Sequence, residues 1–431
     1  MAERTFQQML NDTNNIKNAI KASLSLERNM DNIKFSQYPD IIKGLVTKHW
    51  GFRIAKADSN PDTSVTYLYD AVGKNPGRMT FDGNGVGTFG WGDWKPFVDS
   101  FFRPVMLKYD GTVDYELSHE DQTKRIDGVT ASDIGNASYG GNAMVEIRRI
   151  WTKITEDTNY IYVEFSNVQL DENFSAEAFR DSSGALKDCA YYSMFEGSYQ
   201  SSKLRSLASG SVMTGQTGST EISRAEANGS GWYITPYSLH NLVVLLHVLV
   251  SKNLNTQAMF GNGNSNGSSY IAPGSLKSYG AFKGYSDETH AVKTFYIENF
   301  WANYWMRCAG LLLCNRGTDA SPDYQIAYKG KPPYNNTGDG YVNCGRGPTS
   351  NNYLKSVKSI SNVVVPLAVG GSSTTYFCDY HYQSNPTVAE PKYALVGGSR
   401  SSGANCGAFC VALDGALSYS SAYIGARLSF L

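Results

Sequence analysis

Charge is scarce in this chain. Only 18% of its 431 residues are Asp, Glu, Lys or Arg, and the formal net charge is -1. So balanced a chain carries no basic footprint for nucleic acid or an anionic membrane surface. Cysteine is sparse as well: Cys189, Cys308, Cys314, Cys344, Cys378, Cys406 and Cys410 are odd in number and scattered in spacing. That excludes a disulfide framework, and Cys308 and Cys314, in an apolar stretch, read as buried thiols. The longest hydrophobic run, Leu242 to Val250, is broken by His247 and too short to cross a bilayer. The opening MAERTFQQML has no secretory signal pattern, so synthesis in the cytoplasm is expected. Tyrosine and glycine, by contrast, are plentiful, at 29 and 42 residues. Beyond ordinary packing, that excess points to loop-rich β structure and a contact surface. The length allows two or three domains with a sizeable core.

The C-terminal stretch lacks something more specific. From Arg400 to Tyr423 its 24 residues include no Lys, Glu, Gln, Met or Trp. None of those types has a codon ending in a pyrimidine, and every type present there does. Adenine-directed mutation of AAY codons produces that set; a small-residue loop lacking the five types by chance is the plain alternative. Two patterns interleave across the stretch. Phe409, Val411 and Leu413 are apolar at every second position, marking one face of a strand, and Ile424, Ala426, Leu428 and Phe430 resume the alternation. Between them lie Cys410, Ala412 and Asp414 and a run of Ser, Gly and Ala with Tyr419 and Tyr423. The first set reads as a fixed scaffold and the second as interchangeable, facing outward.

Periodicity organises the rest. Residues 1 to 35 read as helical, with Phe6, Met9, Leu10, Ile16 and Ile20 near i, i+3/i+4 spacing, and Pro39 opens a further short helix. Such a segment cannot bury its apolar stripe alone and is expected to pack against copies of itself or another protein. From Trp50 the pattern becomes β. Thr63 to Tyr69 is a strand, Phe81 to Trp94 reads as Gly-rich turn and loop, and Asp110-Gly111 joins two strands of a hairpin. AMVEIRRIWTKI and Tyr160 to Val168 read as paired strands. ITPYSLHNLVVLLHVLVSK is a helix, with Thr235 as N-cap and Pro236 as its first residue. Phe295 to Leu313 reads as a short helix or turn running into a strand. Val363 to Leu367, Thr374 to Tyr380, Tyr393 to Val396, Phe409 to Leu413 and Ile424 to Phe430 complete a β-rich half.

Motifs with chemical potential mostly dissolve on inspection. GNGVG at Gly83 to Gly87 is followed by Trp91, Gly92 and Trp94 and not by a helix, so no helix N-terminus can hold a phosphate. His240 and His247 lie two helical turns apart, too far to share an ion, and read as decoration of a helix. Asp110, Asp114 and Glu116 are acids of an exposed hairpin, with nothing to mark a glycosidase pair. No metal and no cofactor is expected.

The ending, with GGS at Gly397 to Ser399, NCGAF at Asn405 to Phe409 and IGARL at Ile424 to Leu428, resembles the variable region of diversity-generating retroelement target proteins. VTYLYDAVGKNP (Val65 to Pro76), KYDGTVDYEL (Lys108 to Leu117), ASYGGNAM (Ala137 to Met144) and IENFWANYWMRCAGLLL (Ile297 to Leu313) resemble phage tail proteins of this kind. The match spans roughly residues 36 to 431, and its specificity lies in the joint occurrence of these strings. The resemblance implies an α+β chain: an N-terminal helical attachment or oligomerisation segment (1–49), a small β-rich domain (50–100), and a C-type-lectin-like domain (101–431) with its variable region at about 393–431. It implies a tail-tip adhesin that is no enzyme, made in the host cytoplasm, displayed on the virion as a homotrimer beside other tail proteins, and binding a host cell-surface receptor, protein or glycan. The receptor surface would comprise Arg400, Ser401, Ser402, Asn405, Cys410, Ala412, Asp414, Tyr419, Ser421, Ala422 and Tyr423. A bacterial surface adhesin is a variant of this reading, and a structural tail or baseplate protein is the alternative.

Two departures from related patterns matter. Lectins of this fold often bind sugar through calcium, using an acidic residue and Asn around a Pro. Here Glu390-Pro391 is followed by Lys392, whose ammonium repels a cation, and no Trp-Asn-Asp string comes later. Formylglycine-generating enzymes share the fold and need two activated thiols. Cys406 and Cys410 are four residues apart, but a mutable position explains Cys410 more simply.

Overall fold

Alternating apolar and polar residues from His49 onward build three main sheets in the computed structural model, which describes residues 47–431. The helical reading of residues 1 to 45, and the oligomerisation expected of it, lie outside the described residues. Strands β1 (His49–Ala55), β2 (Val65–Tyr69), β8 (Trp151–Glu156) and β9 (Tyr160–Ser166) form an antiparallel sheet in the order β2-β1-β9-β8. Trp50 pairs with Phe165 and Ile54 with Ile161, so this sheet joins segments on either side of residue 100.

The second sheet has the order β13-β25-β10-β7-β5-β6, from β5 (Phe102–Lys108), β6 (Val113–Glu116), β7 (Gly141–Arg148), β10 (Cys189–Ser193), β13 (Trp232–Ile234) and β25 (Leu428–Phe430). The hairpin at Asp110-Gly111 forms as its sequence predicts, pairing Val105 with Glu116 and Met106 with Tyr115. Gly111 supplies φ 83° at the turn, and the Thr112 N–H donates to Asp110 Oδ1 (2.9 Å). AMVEIRRIWTKI, read as one strand beside Tyr160 to Val168, is split. Its first half is β7, buried on both faces up to Ile147 and paired with β5 and β10; only its second half, β8, pairs with β9.

The largest sheet runs β18-β17-β16-β22-β23-β21-β19-β20, with β24 added in parallel beside β16. Its members are β16 (Trp305–Asn315), β17 (Tyr324–Tyr328), β18 (Val342–Asn343), β19 (Asn352–Ile360), β20 (Val363–Val369), β21 (Tyr380–Gln383), β22 (Lys392–Val396), β23 (Val411–Ala416) and β24 (Ile424–Ala426). Thr374 to Cys378 is turn and not strand, with Tyr376 and Cys378 at φ 59° and 61°. Three small hairpins complete the β structure: β3 (Arg78–Phe81) with β4 (Gly87–Gly90), β11 (Ser198–Gln200) with β12 (Lys203–Arg205), and β14 (Lys293–Thr294) with β15 (Ile297–Glu298). The first corrects the loop reading of Phe81 to Trp94, where glycine density hid a short strand beneath Phe89, stacked on Phe282 at 4.0 Å.

Helices α1 (Lys95–Phe101), α2 (Gly218–Glu226), α3 (Tyr237–Ser251) and α4 (Thr256–Phe260) sit among these sheets. All of α3 is buried, as a helix apolar on every side must be. Its cap differs from expectation: Pro236 occupies the N-cap in extended geometry (φ -72°, ψ 147°), without a side-chain bond. Thr235 is drawn into β pairing instead, its N–H donating to Arg427 O (2.9 Å) and its carbonyl accepting from the Ala309 N–H (3.0 Å). His240 and His247 are core residues and not decoration; burial pulls both down to about 3, so they are neutral at ordinary pH. His247 packs among Phe260, Phe295, Phe300 and Trp301 and shares a hydrogen bond with Thr294 Oγ1 (2.9 Å).

Candidate functional site

The C-terminal stretch leaves regular structure twice, before and after β23, and each time its main chain is held by groups outside it. In the first loop the Arg400 N–H donates to Asn303 O (2.9 Å) and the Gly403 N–H to Ser265 O (2.8 Å). The Ala408 N–H donates to Thr256 Oγ1 (3.0 Å) and the Phe409 N–H to Asp379 Oδ2 (2.7 Å). Gly407 is required here, because a Cβ would collide with the Asp379 carboxyl and φ is 148°. In the second loop the Gly218 N–H donates to Leu417 O (2.8 Å), the Gly215 N–H to Ser421 O (2.9 Å) and the Trp305 N–H to Tyr423 O (2.9 Å). Arg307 Nη2 donates to Tyr419 O (2.9 Å). Arg307 is itself fixed by Glu221, Nε to Oε2 at 2.6 Å, with both side chains 0% exposed.

Inside this frame the residues expected at the receptor surface fall into three groups. Ser401, Asp414, Tyr419, Ala422 and Tyr423 are exposed, the two tyrosines at 52% and 48%. Arg400, Ser402, Asn405 and Ser421 are half-buried. Cys410 and Ala412 are buried, at 0% and 1%, which corrects their expected outward orientation. β23 lies between β22 and β21, and both of its faces are covered. Val411 and Leu413 pack on one side with Val396 and Leu313, while Ala412 packs on the other with Leu395 and Ile424, beneath Trp305 and Tyr382. Phe409, Val411, Leu413, Ile424 and Leu428 are all buried, as the scaffold reading expects, though Phe409 precedes the strand and meets Phe377 edge-on (5.0 Å, 68°).

An aromatic rim adjoins the exposed set, supplied by segments far away in sequence. Tyr270 is sandwiched: its ring stacks on Tyr304 (3.9 Å, 8°), and the Arg400 guanidinium carbon stands 4.5 Å from its centroid. Arg400 Nη1 donates to Gly267 O (2.9 Å), and the Tyr423 ring lies 6.4 Å from Tyr270. One residue beyond Tyr304, Trp305 meets Tyr382 edge-on (5.7 Å, 85°), and Asn405 Nδ2 donates to Tyr382 Oη (2.8 Å). Tyr382 also leans on Tyr380 at 4.5 Å. The sequence reading missed Tyr270, Tyr304, Trp305, Tyr380 and Tyr382 as site residues. Tyr304 and Trp305 sit within a quoted family string, but nothing local marks Tyr270, at the end of a Gly/Asn/Ser loop.

Tyr, Ser, Asn and Arg on a pinned frame make a surface suited to contact, with rigid aromatic area and adaptable hydrogen bonding. Thiol chemistry has little to work with there. Burial pushes the Cys406 and Cys410 thiols well above their ordinary range, the reverse of what an activated thiolate needs. Glu390 accepts a hydrogen bond from Ser418 Oγ (2.9 Å), and among the described residues no three His, Cys, Asp or Glu side chains gather as metal ligands would.

No protein-family model matches the chain. No curated protein matches it either. Among solved structures it is similar to the Major Tropism Determinant U1 variant, at 9% identity and TM-score 0.28 over 77% of this chain and 72% of that one. It is also similar to the P3c variant, at 10% identity and TM-score 0.26, with 77% and 72% covered.

Proposed function

We propose that this chain is a phage tail-tip adhesin whose C-terminal C-type-lectin-like surface binds a host cell-surface receptor. The observation that carries this reading is the division of labour in residues 399–423. Their main chain is gripped by the scaffold through Asn303, Ser265, Gly215, Gly218, Arg307 and Trp305, while Ser401, Asp414, Tyr419, Ala422 and Tyr423 present their side chains to solvent. Those five side chains can then change without loss of the frame, in keeping with the codon-restricted composition of the same stretch. Contact is expected through Tyr419, Tyr423, Arg400 and Asn405 together with Tyr270 and Tyr382, aromatic and Arg anchors being the usual hot spots. Homotrimeric display on the virion tail, with residues 1 to 45 contributing, belongs to the same reading and multiplies a modest single-site affinity through avidity.

Adsorption measurements test it. Tyr419→Ala and Tyr423→Ala should each weaken binding to host cells by about 2 kcal/mol, roughly thirtyfold, with the melting temperature nearly unchanged. Variants that adsorb normally while tails fail to assemble would make the terminus a packing surface of a structural tail protein.

A further inference from the structure

The chain contains four Asn-Gly pairs, at Asn84, Asn228, Asn262 and Asn266. In such a pair the glycine nitrogen can reach the preceding side-chain amide, because no Cβ stands in the way. Three of the pairs are tied down. The Gly85 N–H donates to Asp82 O (2.9 Å) and the Gly229 N–H to Glu226 O (3.0 Å). Asn228 is buried, with Nδ2 donating to Leu204 O (2.9 Å), and Asn262 Nδ2 donates to Ser286 O (2.6 Å). Asn266 differs: its side chain is exposed, and among the described residues neither it nor the Gly267 N–H has a hydrogen-bond partner. The fold also keeps this pair in being, since a Cβ at Gly267 would collide with Asn264 Oδ1.

Asn266 immediately precedes the carbonyl that anchors the binding rim. Gly267 O accepts Arg400 Nη1 (2.9 Å), and Arg400 in turn covers the Tyr270 ring. On the other side the Asn266 N–H donates to Glu288 O (2.9 Å), so the segment is tethered at both ends. We propose that Asn266-Gly267 is a spontaneous deamidation site whose conversion to isoaspartate releases Arg400 from its anchor and remodels the adjoining surface. The Gly267 nitrogen attacks Asn266 Cγ, the Cγ–Nδ2 bond breaks, and ammonia leaves with the proton of the Gly267 N–H. Water then opens the cyclic imide at either carbonyl, giving aspartate or isoaspartate. The isoaspartate routes the main chain through Cβ and Cγ, and the added atom displaces the Gly267 carbonyl from the guanidinium. The effect on binding rests on the adhesin reading, whereas the modification itself does not.

The test ages the full-length chain in mildly alkaline buffer and follows it by peptide mass mapping and enzymatic isoaspartate labelling. Asn266 should convert several-fold faster than Asn84, Asn228 or Asn262; another pair leading, or no conversion at Asn266, overturns the site. Aged wild-type protein should lose host-cell adsorption several-fold, while Asn266→Gln, whose longer side chain cyclises far more slowly, keeps it through the same ageing. Full adsorption by converted wild type overturns the link to Arg400. Asn266→Asp carries the new charge without the extra main-chain atom and should adsorb like fresh wild type; an equal loss in that variant overturns the main-chain mechanism. Fresh protein that never adsorbs would refute the adhesin reading while leaving the mass-mapping result intact.

Discussion

Residues 406–413 are buried on both sides of a central strand and the turn leading into it, whereas Ser418, Tyr419, Ser420, Ala422 and Tyr423 stand exposed a few positions later. Both segments share one restricted composition, and both are held by hydrogen bonds from outside. They differ in what their side chains do. In the first, Phe409, Val411, Ala412 and Leu413 fill three separate apolar clusters. In the second, shape comes from main-chain carbonyls accepting from Arg307, Gly215, Gly218 and Trp305, and the side chains are left over. One stretch of restricted composition thus contains side chains that fill the core and side chains that face solvent.

The largest expected effect strikes the frame that both segments share. Arg307→Ala strands the Glu221 carboxylate in a dry site and frees the Tyr419 carbonyl, which should cost about 3–5 kcal/mol in a denaturant melt. A loss near zero would mean that the second loop does not depend on Arg307. Phe409→Ala removes a ring held between Phe377 and the core and should cost about 3–5 kcal/mol as well, towards the lower end if the turn can settle inward. Smaller, but decisive for the comparison, is Ala412→Leu: with Leu395, Ile424, Trp305 and Tyr382 packed around it, the added methylenes should destabilise by about 1–3 kcal/mol. The same substitution at exposed Ala422 should stay within about 0.5 kcal/mol. Equal effects at 412 and 422 would erase the distinction between the two segments.

Much of the frame was legible in the sequence because it rests on local rules. Asp110-Gly111 needs a positive φ and forms its hairpin, and the apolar run of α3 can only be core. Period-two alternation correctly marked Phe409, Val411, Leu413, Ile424 and Leu428 as buried. It could not show that Cys410 and Ala412 are buried too, since alternation separates the faces of a strand without telling whether the second face is covered. That depends on β21, β22, Trp305 and Tyr382 arriving from elsewhere. Thr235 looked like a cap by composition, but its hydrogen-bonding groups were claimed by Arg427 and Ala309, partners unreadable from its neighbourhood. The rim was the least legible part, for Tyr270, Tyr304 and Tyr382 meet Arg400 and Asn405 only through long-range packing.

Arg307 reaches a carbonyl oxygen of Tyr419 and not its ring, and every residue type offers that oxygen. Changes at 419 or 422 therefore draw little on the narrow margin by which a folded domain outlasts its unfolded chain. Several can accumulate together before unfolding threatens, whereas two changes among 409, 411 and 412 could exhaust that margin. Tolerated changes should therefore gather among residues 418–423 and stay rare among 406–413.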